Sequence, residues 1–198
     1  DKYNDKTLNI VFDTLKRGKQ ALVFVNTRRS AEKSAEEIAR KIKIKCCEDI
    51  AIQILKAVST PTKQCKRLAE CVKKGTAFHH SGLVSKQREI IEDNFRKGRI
   101  KTISCTPTLA SGVDLPAFRT IVRDLKRYGG RWGMQNISVM EYHQMAGRAG
   151  RPKFDSFGEA ITIAKSESEK EEIIEKFILA EPEDITSKLA VEPVLRTY

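Results

Sequence analysis

Ala21-Leu22-Val23-Phe24-Val25, closed by Asn26-Thr27-Arg28-Arg29, is the stretch that sets the fold class. A short unbroken apolar run of this kind predicts a strand buried on both faces rather than one that alternates between core and water. Upstream, Leu8, Val11, Phe12 and Leu15 fall at i, i+3, i+4 and i+7, a helical stripe that ends at Gly18. Downstream, Ala31, Ala35, Ile38, Ala39 and Ile42 form the next helical face. Ile50, Ile54 and Val58, and then Cys65, Leu68, Ala69 and Val72, suggest two further short helices split at Thr60-Pro61 and inserted between strands. Strand-like runs recur at Thr76–His79, Ile100–Cys105, Arg119–Val122 and Ala160–Ala164, with a helical stretch at Ser85–Lys97 that carries Ile91 and Phe95. Strands that alternate with helices predict an α/β fold on a parallel sheet.

Two capping boxes mark helix starts near the carboxyl end. Ser138 with Glu141 opens a helix leading into Gln144–Arg151, and Ser166 with Glu169 opens one carrying Ile173, Ile174, Phe177 and Ile178. In open parallel sheets the functional loops gather at the carboxyl ends of strands. Here those loops are expected to be Asn26–Arg29, His80–Leu83, Thr106–Pro116 and, after a longer excursion, Gln144–Arg151.

The 198 residues are 40% hydrophobic with 11 glycines, enough to bury one continuous core without metals or disulfides, which excludes disordered and fibrous classes. Lys and Arg total 37 against 26 acidic residues, a formal charge of +11 that makes a polyanion the first partner to consider. No run approaches the roughly 18 apolar residues of a membrane span. Asp1-Lys2-Tyr3-Asn4-Asp5-Lys6 holds no apolar signal core, so a soluble, cytoplasmic chain without membrane contact is expected. The cysteines Cys46, Cys47, Cys65, Cys71 and Cys105 are odd in number and form no C-x-x-C, as reduced core thiols would. The chain starts without Met and stops within Leu195-Arg196-Thr197-Tyr198, which suggests a piece of a longer polypeptide.

Gln144-Met145-Ala146-Gly147-Arg148-Ala149-Gly150-Arg151 spells Q-x-x-G-R-x-G-R, a pattern expected by chance on the order of once in ten thousand chains of this length. Arginines three apart at a helix end share a face, glycines admit another surface, and guanidinium forks match phosphate oxygens. The alternative is a glycine-broken helix end whose arginines cap it or pair with Glu141. Cys105–Pro116 follows a buried strand with small hydroxyl residues and Gly112, a loop able to hold phosphates. Asp114 there could accept a ribose hydroxyl or close an Asx-turn. Thr27 could contact phosphate or cap the next helix.

His79-His80 cannot readily hold one metal, since adjacent strand residues face opposite ways and no third ligand lies nearby. Ser81 and Gly82 then read as loop contacts to a backbone phosphate, because G-x-S-x-G is missing. Arg123–Met134 is basic, aromatic and glycine-punctuated, which fits a hairpin that stacks on or wedges between bases through Tyr128, Arg131 and Trp132, the alternative being an ordinary surface hairpin. The sequence contains neither a G-x-x-x-x-G-K-[ST] stretch nor a D-E-x-H run, so phosphate-directed arginines stand here without a P-loop, as in one half of a composite ATP site.

In these motifs the chain resembles the second RecA-like domain of superfamily-two helicases, within the Ski-like DExH branch and closest to the archaeal Hjm-type replication-fork DNA helicases. Ala21–Arg29 looks like motif IV, Thr106–Pro116 like motif V and Gln144–Pro152 like motif VI, and Arg123–Ile137 looks like the branch's strand-separating β-hairpin. The resemblance implies a RecA-like parallel sheet flanked by helices over residues 1–180, with 181–198 as a linker toward a winged-helix domain. It implies that Arg151 is an arginine finger for the γ-phosphate, with Arg148 and Gln144 completing the catalytic set. Gly112 and Asp114 would join Arg148 and Arg151 at the nucleotide, while Asn26, Thr27, Arg28, Ser81, Gly82, Thr106 and Thr108 would grip the nucleic-acid backbone. Asp114 stands where many relatives carry Asn. The cofactor implied is ATP with Mg2+, most of whose contacts would lie on a preceding RecA-like domain. Single-stranded and forked DNA would be the partners of a monomeric 3′–5′ helicase, with RNA unwinding or a non-catalytic binding module as the competing functions.

Overall fold

The structure is a computed structural model that describes residues 3–43, 46–128, 131 and 133–180. The expected alternation is present. Helix α1 (Lys6–Lys16) precedes β1 (Ala21–Phe24), and α2 (Arg28–Lys41), α3 (Glu48–Lys56) and α4 (Lys63–Val72) follow before β2 (Thr76–His79). Then come α5 (Ser85–Arg96), β3 (Thr102–Cys105), the short α6 (Thr108–Gly112) and β4 (Arg119–Val122). A hairpin of β5 (Lys126–Tyr128) and β6 (Met134–Asn136) leads to α7 (Val139–Ala146), β7 (Glu159–Thr162) and α8 (Glu167–Ile173). The last helix continues as a π-turn over Ile174–Ile178, so Ile173 and Phe177 point inward whereas Ile178 is exposed.

The central sheet has five strands in the order β2-β3-β1-β4-β7. Every pairing is parallel, with Leu22 opposite both Ile103 and Thr120. β1 lies in the middle of the order, and all four of its residues are buried, as its unbroken apolar run requires. Helices cover both faces. His80 and Ser104 reach α2 through Glu32 and Ser34, whereas His79 reaches Glu92 of α5 on the other side. The two histidines therefore diverge, as the period of a strand dictates.

Local signals set the helix ends. Asp5, Thr27, Thr62, Ser138 and Ser166 each accept a backbone N–H of their own first turn. Glu169 reaches back past the cap and accepts Lys165 N–H at 2.6 Å. Glu141 turns away from its box to pair with Arg127 of the hairpin at 3.1 Å. The partner considered for Glu141, an arginine of the Q-x-x-G-R-x-G-R stretch, is thus replaced by one from β5. Among the described residues no helix is long and apolar enough to cross a membrane.

Candidate functional site

The loops that leave β1, β2 and β3 converge at the carboxyl edge of the sheet on a cleft of about 430 Å3. Asn26, Arg28, Ser81, Thr106, Thr108 and Gln144 all line it, so five residues expected to grip a nucleic-acid backbone share one concavity with the first residue of the glycine-arginine motif. Arg28 donates to the Ser81 hydroxyl at 2.9 Å, and the hydroxyls of Thr106 and Thr108 bond each other at 2.9 Å. Asn26 donates its amide to Lys126 O and its backbone N–H to Asp124, which ties β1 to the base of the hairpin. Arg127 and Glu141 form the opposite wall.

Gly82 is held from below. Its N–H donates to His80 Nδ1 at 3.1 Å, so the ring proton sits on Nε2 and points to Glu32 at 3.2 Å. Glu32 also receives Gln64 at 2.6 Å and Arg67 at 2.8 Å, both from the inserted α4. Burial holds the His80 imidazole below its ordinary value, against the pull of Glu32, which keeps Nδ1 free to accept. Thr27 takes the capping role: its hydroxyl accepts Ser30 N–H at 3.0 Å.

The glycine-arginine motif does not end in this cleft. Helix α7 stops at Ala146, so Arg148 and Arg151 are not neighbours on a helix face as their spacing suggested, but lie on the strand-like segment beyond it. Ala149 bridges Ala117 in parallel, Arg148 O accepts Ala117 N–H at 2.9 Å, and Gly150 N–H donates to Ala117 O at 2.7 Å. This segment runs just upstream of β4 and β7, at the amino edge of the sheet. The expectation that Gln144–Arg151 gathers at the carboxyl edge is corrected: Gln144 does, and the two arginines do not.

The physical reason is a backbone crossing. Gly150 has φ +96, and a Cβ on Gly158 would lie 2.1 Å from Gly150 N and 2.4 Å from its Cα. The surface that these glycines admit is therefore the chain itself. Gly112, by contrast, has open space around it and ends α6 in the loop before Asp114.

At the amino edge, Asp114, Arg151 and Phe154 line a second cleft of about 380 Å3 with Gln20, Phe95 and Pro116. Asp114 is 90% exposed and accepts Arg148 Nη1 at 2.9 Å, and Arg148 also donates to Ala110 O. An ion pair thus takes the place of the Asx-turn considered for Asp114. Arg151 donates Nε to Asp155 at 2.6 Å and Nη1 to Gln20 at 2.6 Å. Those Arg151 hydrogen bonds, and then Lys19, hold the Asp155 carboxyl below the usual carboxylate range. Asp155 lies four residues beyond Arg151, a spacing that could have disclosed the pair. Gln20 gave no signal in the sequence.

Tyr128 is exposed at the end of β5, and Arg131 is exposed beyond it; Trp132 lies outside the described residues, as does 181–198. For magnesium, no three His, Cys, Asp or Glu side chains converge among the described residues, and Asp114 and Asp155 each face a guanidinium. These residues do not form a magnesium site.

The fold and its clefts define a parallel α/β domain with polar loops on one edge of a five-stranded sheet and an arginine fork on the other. The family model of the helicase conserved C-terminal domain matches residues 50–153, more than half of the chain, and the chain belongs to that family. The match takes in the cleft from Ser81 to Gln144 and both arginines.

The chain is similar to archaeal relatives named ATP-dependent DNA helicase Hel308. The one from Methanocella arvoryzae is 48% identical over 98% of this chain and 27% of its own length. That from Pyrococcus abyssi is 45% identical over 95% of this chain and 26% of its own, and that from Methanococcus vannielii 40% over 96% and 26%. The chain spans about a quarter of the length of these relatives.

Proposed function

We propose that this chain is the second motor domain of an ATP-dependent 3′–5′ DNA helicase that acts on single-stranded and forked DNA, as the names of its relatives and the resemblance of its motifs suggest. Residues 1–180 are the RecA-like domain, and 181–198 lead toward a winged-helix domain. A preceding RecA-like domain of the same chain carries the P-loop and Mg2+ with most ATP contacts. The whole works as a cytoplasmic monomer, and this piece alone does not hydrolyse ATP.

The observation that carries the reading is that one short element joins two sites of different chemistry. Gln144 on α7 lines the hydroxyl- and arginine-bearing cleft at the carboxyl edge. Four residues later the chain has left the helix, and Arg148 and Arg151 stand at the amino edge beside Asp114. A shift of α7 moves both ends together, which is what coupling nucleotide state to strand grip requires.

In this reading Arg151 meets the γ-phosphate presented across the domain interface, where its charge stabilises the transition state. Arg148 holds Asp114 in the loop after Gly112, near the nucleotide. Asn26, Arg28, Ser81, Gly82, Thr106 and Thr108 hold phosphates of one strand with little base information, Thr27 stiffens that loop by capping α2, and Tyr128 and Arg131 reach toward the duplex from the hairpin. ATP closes the domains and hydrolysis reopens them, so that grip alternates along the strand.

The test is ATP turnover by the full-length parent with single-stranded DNA and single-stranded RNA at equal salt. DNA stimulates turnover, and Arg151→Ala lowers it by about 10³-fold or more while single-strand affinity stays within about twofold. Stimulation chiefly by RNA would move the protein to the RNA-processing branch. Absence of turnover with either polymer would leave a binding module.

A further inference from the structure

We infer that Asp155 and Gln20 are positioning residues for Arg151, holding its guanidinium so that one N–H on each terminal nitrogen faces an incoming phosphate. The inference rests on the reading of Arg151 as the phosphate-contacting arginine, and extends it to two side chains that lie outside the motif.

A guanidinium has five N–H donors in a rigid plane. Three are engaged: Nε to Asp155 Oδ2 at 2.6 Å, Nη2 to Asp155 Oδ1 at 3.1 Å and Nη1 to Gln20 Oε1 at 2.6 Å. That leaves one donor on Nη1 and one on Nη2, without another partner among the described residues. Two donors on adjacent nitrogens are what a phosphate oxygen pair accepts.

Both anchors are themselves immobilised. The Asp155 side chain is 1% exposed, against 18% for Arg151, so the carboxylate sits beneath the guanidinium and the open side belongs to the arginine. Gln20 cannot flip its amide. Its Nε2 donates to Phe95 O at 2.7 Å and Ile100 O at 2.8 Å, and the flipped amide would set an oxygen against two carbonyls and an NH2 against a guanidinium. Gln20 directly precedes β1, so the pose of Arg151 is referred to the centre of the sheet.

Charge also favours an anion. An arginine paired one to one with a carboxylate would present a neutral group. Here Lys19 Nζ shares Asp155 Oδ1 at 2.5 Å, so two cations face one carboxylate and the cluster keeps a net positive charge. The Phe154 ring, 5.6 Å from the guanidinium carbon, covers part of one face.

The experiment measures kcat and KM for ATP in the full-length parent with single-stranded DNA, for Arg151→Ala, Asp155→Asn and Gln20→Met, with single-strand affinity as the check on folding. Asp155→Asn and Gln20→Met are expected to lower kcat by about ten- to a hundredfold with KM within about threefold, the cost of a finger misplaced by about an ångström. Free guanidinium ion should restore part of the turnover lost in Arg151→Ala, and should fail to do so in Arg151→Ala/Asp155→Asn, where the carboxylate that seats it is gone.

Wild-type kcat in Asp155→Asn and Gln20→Met would overturn the inference, as would equal guanidinium rescue with and without Asp155. So would a rise in kcat, which would mean that the ion pair holds Arg151 away from the nucleotide. If Asp155→Asn fails to fold, the kcat and KM of Gln20→Met decide alone. Unchanged turnover in Arg151→Ala would instead sink the proposed function, a result separable from every one of these.

Discussion

Replacing Gly158 by alanine tests the backbone crossing that sends Arg148 and Arg151 to the amino edge. The added Cβ would lie 2.1 Å from Gly150 N, 2.4 Å from Gly150 Cα and 2.5 Å from the carbonyl carbon of Ala149. Carbon atoms in favourable contact sit about 3.5–4.0 Å apart, so the overlap is about 1 Å or more on each neighbour. All three neighbours are backbone, and no rotamer change relieves them. Overpacking costs about 1–3 kcal/mol where side chains can yield, and here about 3 kcal/mol or more is expected. For a chain of this length each kcal/mol moves Tm by about 2–4 °C, so Gly158→Ala should melt about 6–12 °C lower by circular dichroism. Gly112→Ala is the matched control, because nothing lies within 4 Å of its added Cβ, and its Tm should stay within about 2 °C. In the parent, Gly158→Ala should also depress ATP turnover, since Arg151 directly follows the displaced Gly150. A Gly158→Ala chain melting within 2 °C of the wild type would refute the crossing as the feature that sets the loop.

Two further outcomes follow from burial. Cys46 is exposed, whereas burial, and then contact with Cys46, pushes the Cys47 thiol up to about 12; burial likewise pushes Cys71 up to about 12 and Cys105 higher still. A maleimide at pH 7.5 should therefore modify Cys46 first, and peptide mass mapping that finds Cys71 or Cys105 labelled as fast would contradict the packing. Burial also holds His79 and His80 below the ordinary 6.5, which favours their neutral forms in the folded chain. The unfolded chain then binds more protons as pH drops below 6.5, so the urea midpoint should be lower at pH 5.5 than at pH 7.5. Asp155, held below 3.8, acts only in a more acid window, and equal midpoints would mean that the two rings take up protons alike in the folded and the unfolded chain.

Much of the fold was legible because it is encoded locally. The strand at Ala21, the strand at Thr76–His79 and the helix caps at Ser138 and Ser166 are found within about one residue of their expected places. Apolar runs and caps act over a few residues, and the reader needs no partner to see them. The loop residues Asn26, Arg28, Ser81, Thr106 and Thr108 meet in one cleft because a parallel sheet brings successive strand ends to one edge. Thr27 shows the limit of such reasoning. Its two roles, cap and phosphate contact, call for the same residue at the same place, and only coordinates reveal the bond to Ser30.

The arginines show a different limit. Their spacing fitted either a shared helix face or a glycine-broken helix end, and the coordinates decide for the second: α7 ends at Ala146 with Gly147 as its cap, and the chain beyond it bridges Ala117 and crosses Gly158. From sequence alone came the parallel α/β class, the basic balance, the motif that defines the family and the residues that line the cleft. The tertiary structure alone decided that Gln144 and Arg151 face opposite edges of the sheet, and that Arg151 is anchored by Gln20, 131 positions away. Local periodicity and capping are set by neighbours along the chain, whereas the seat of a guanidinium is set by the strand order that folds Gln20 and Asp155 together.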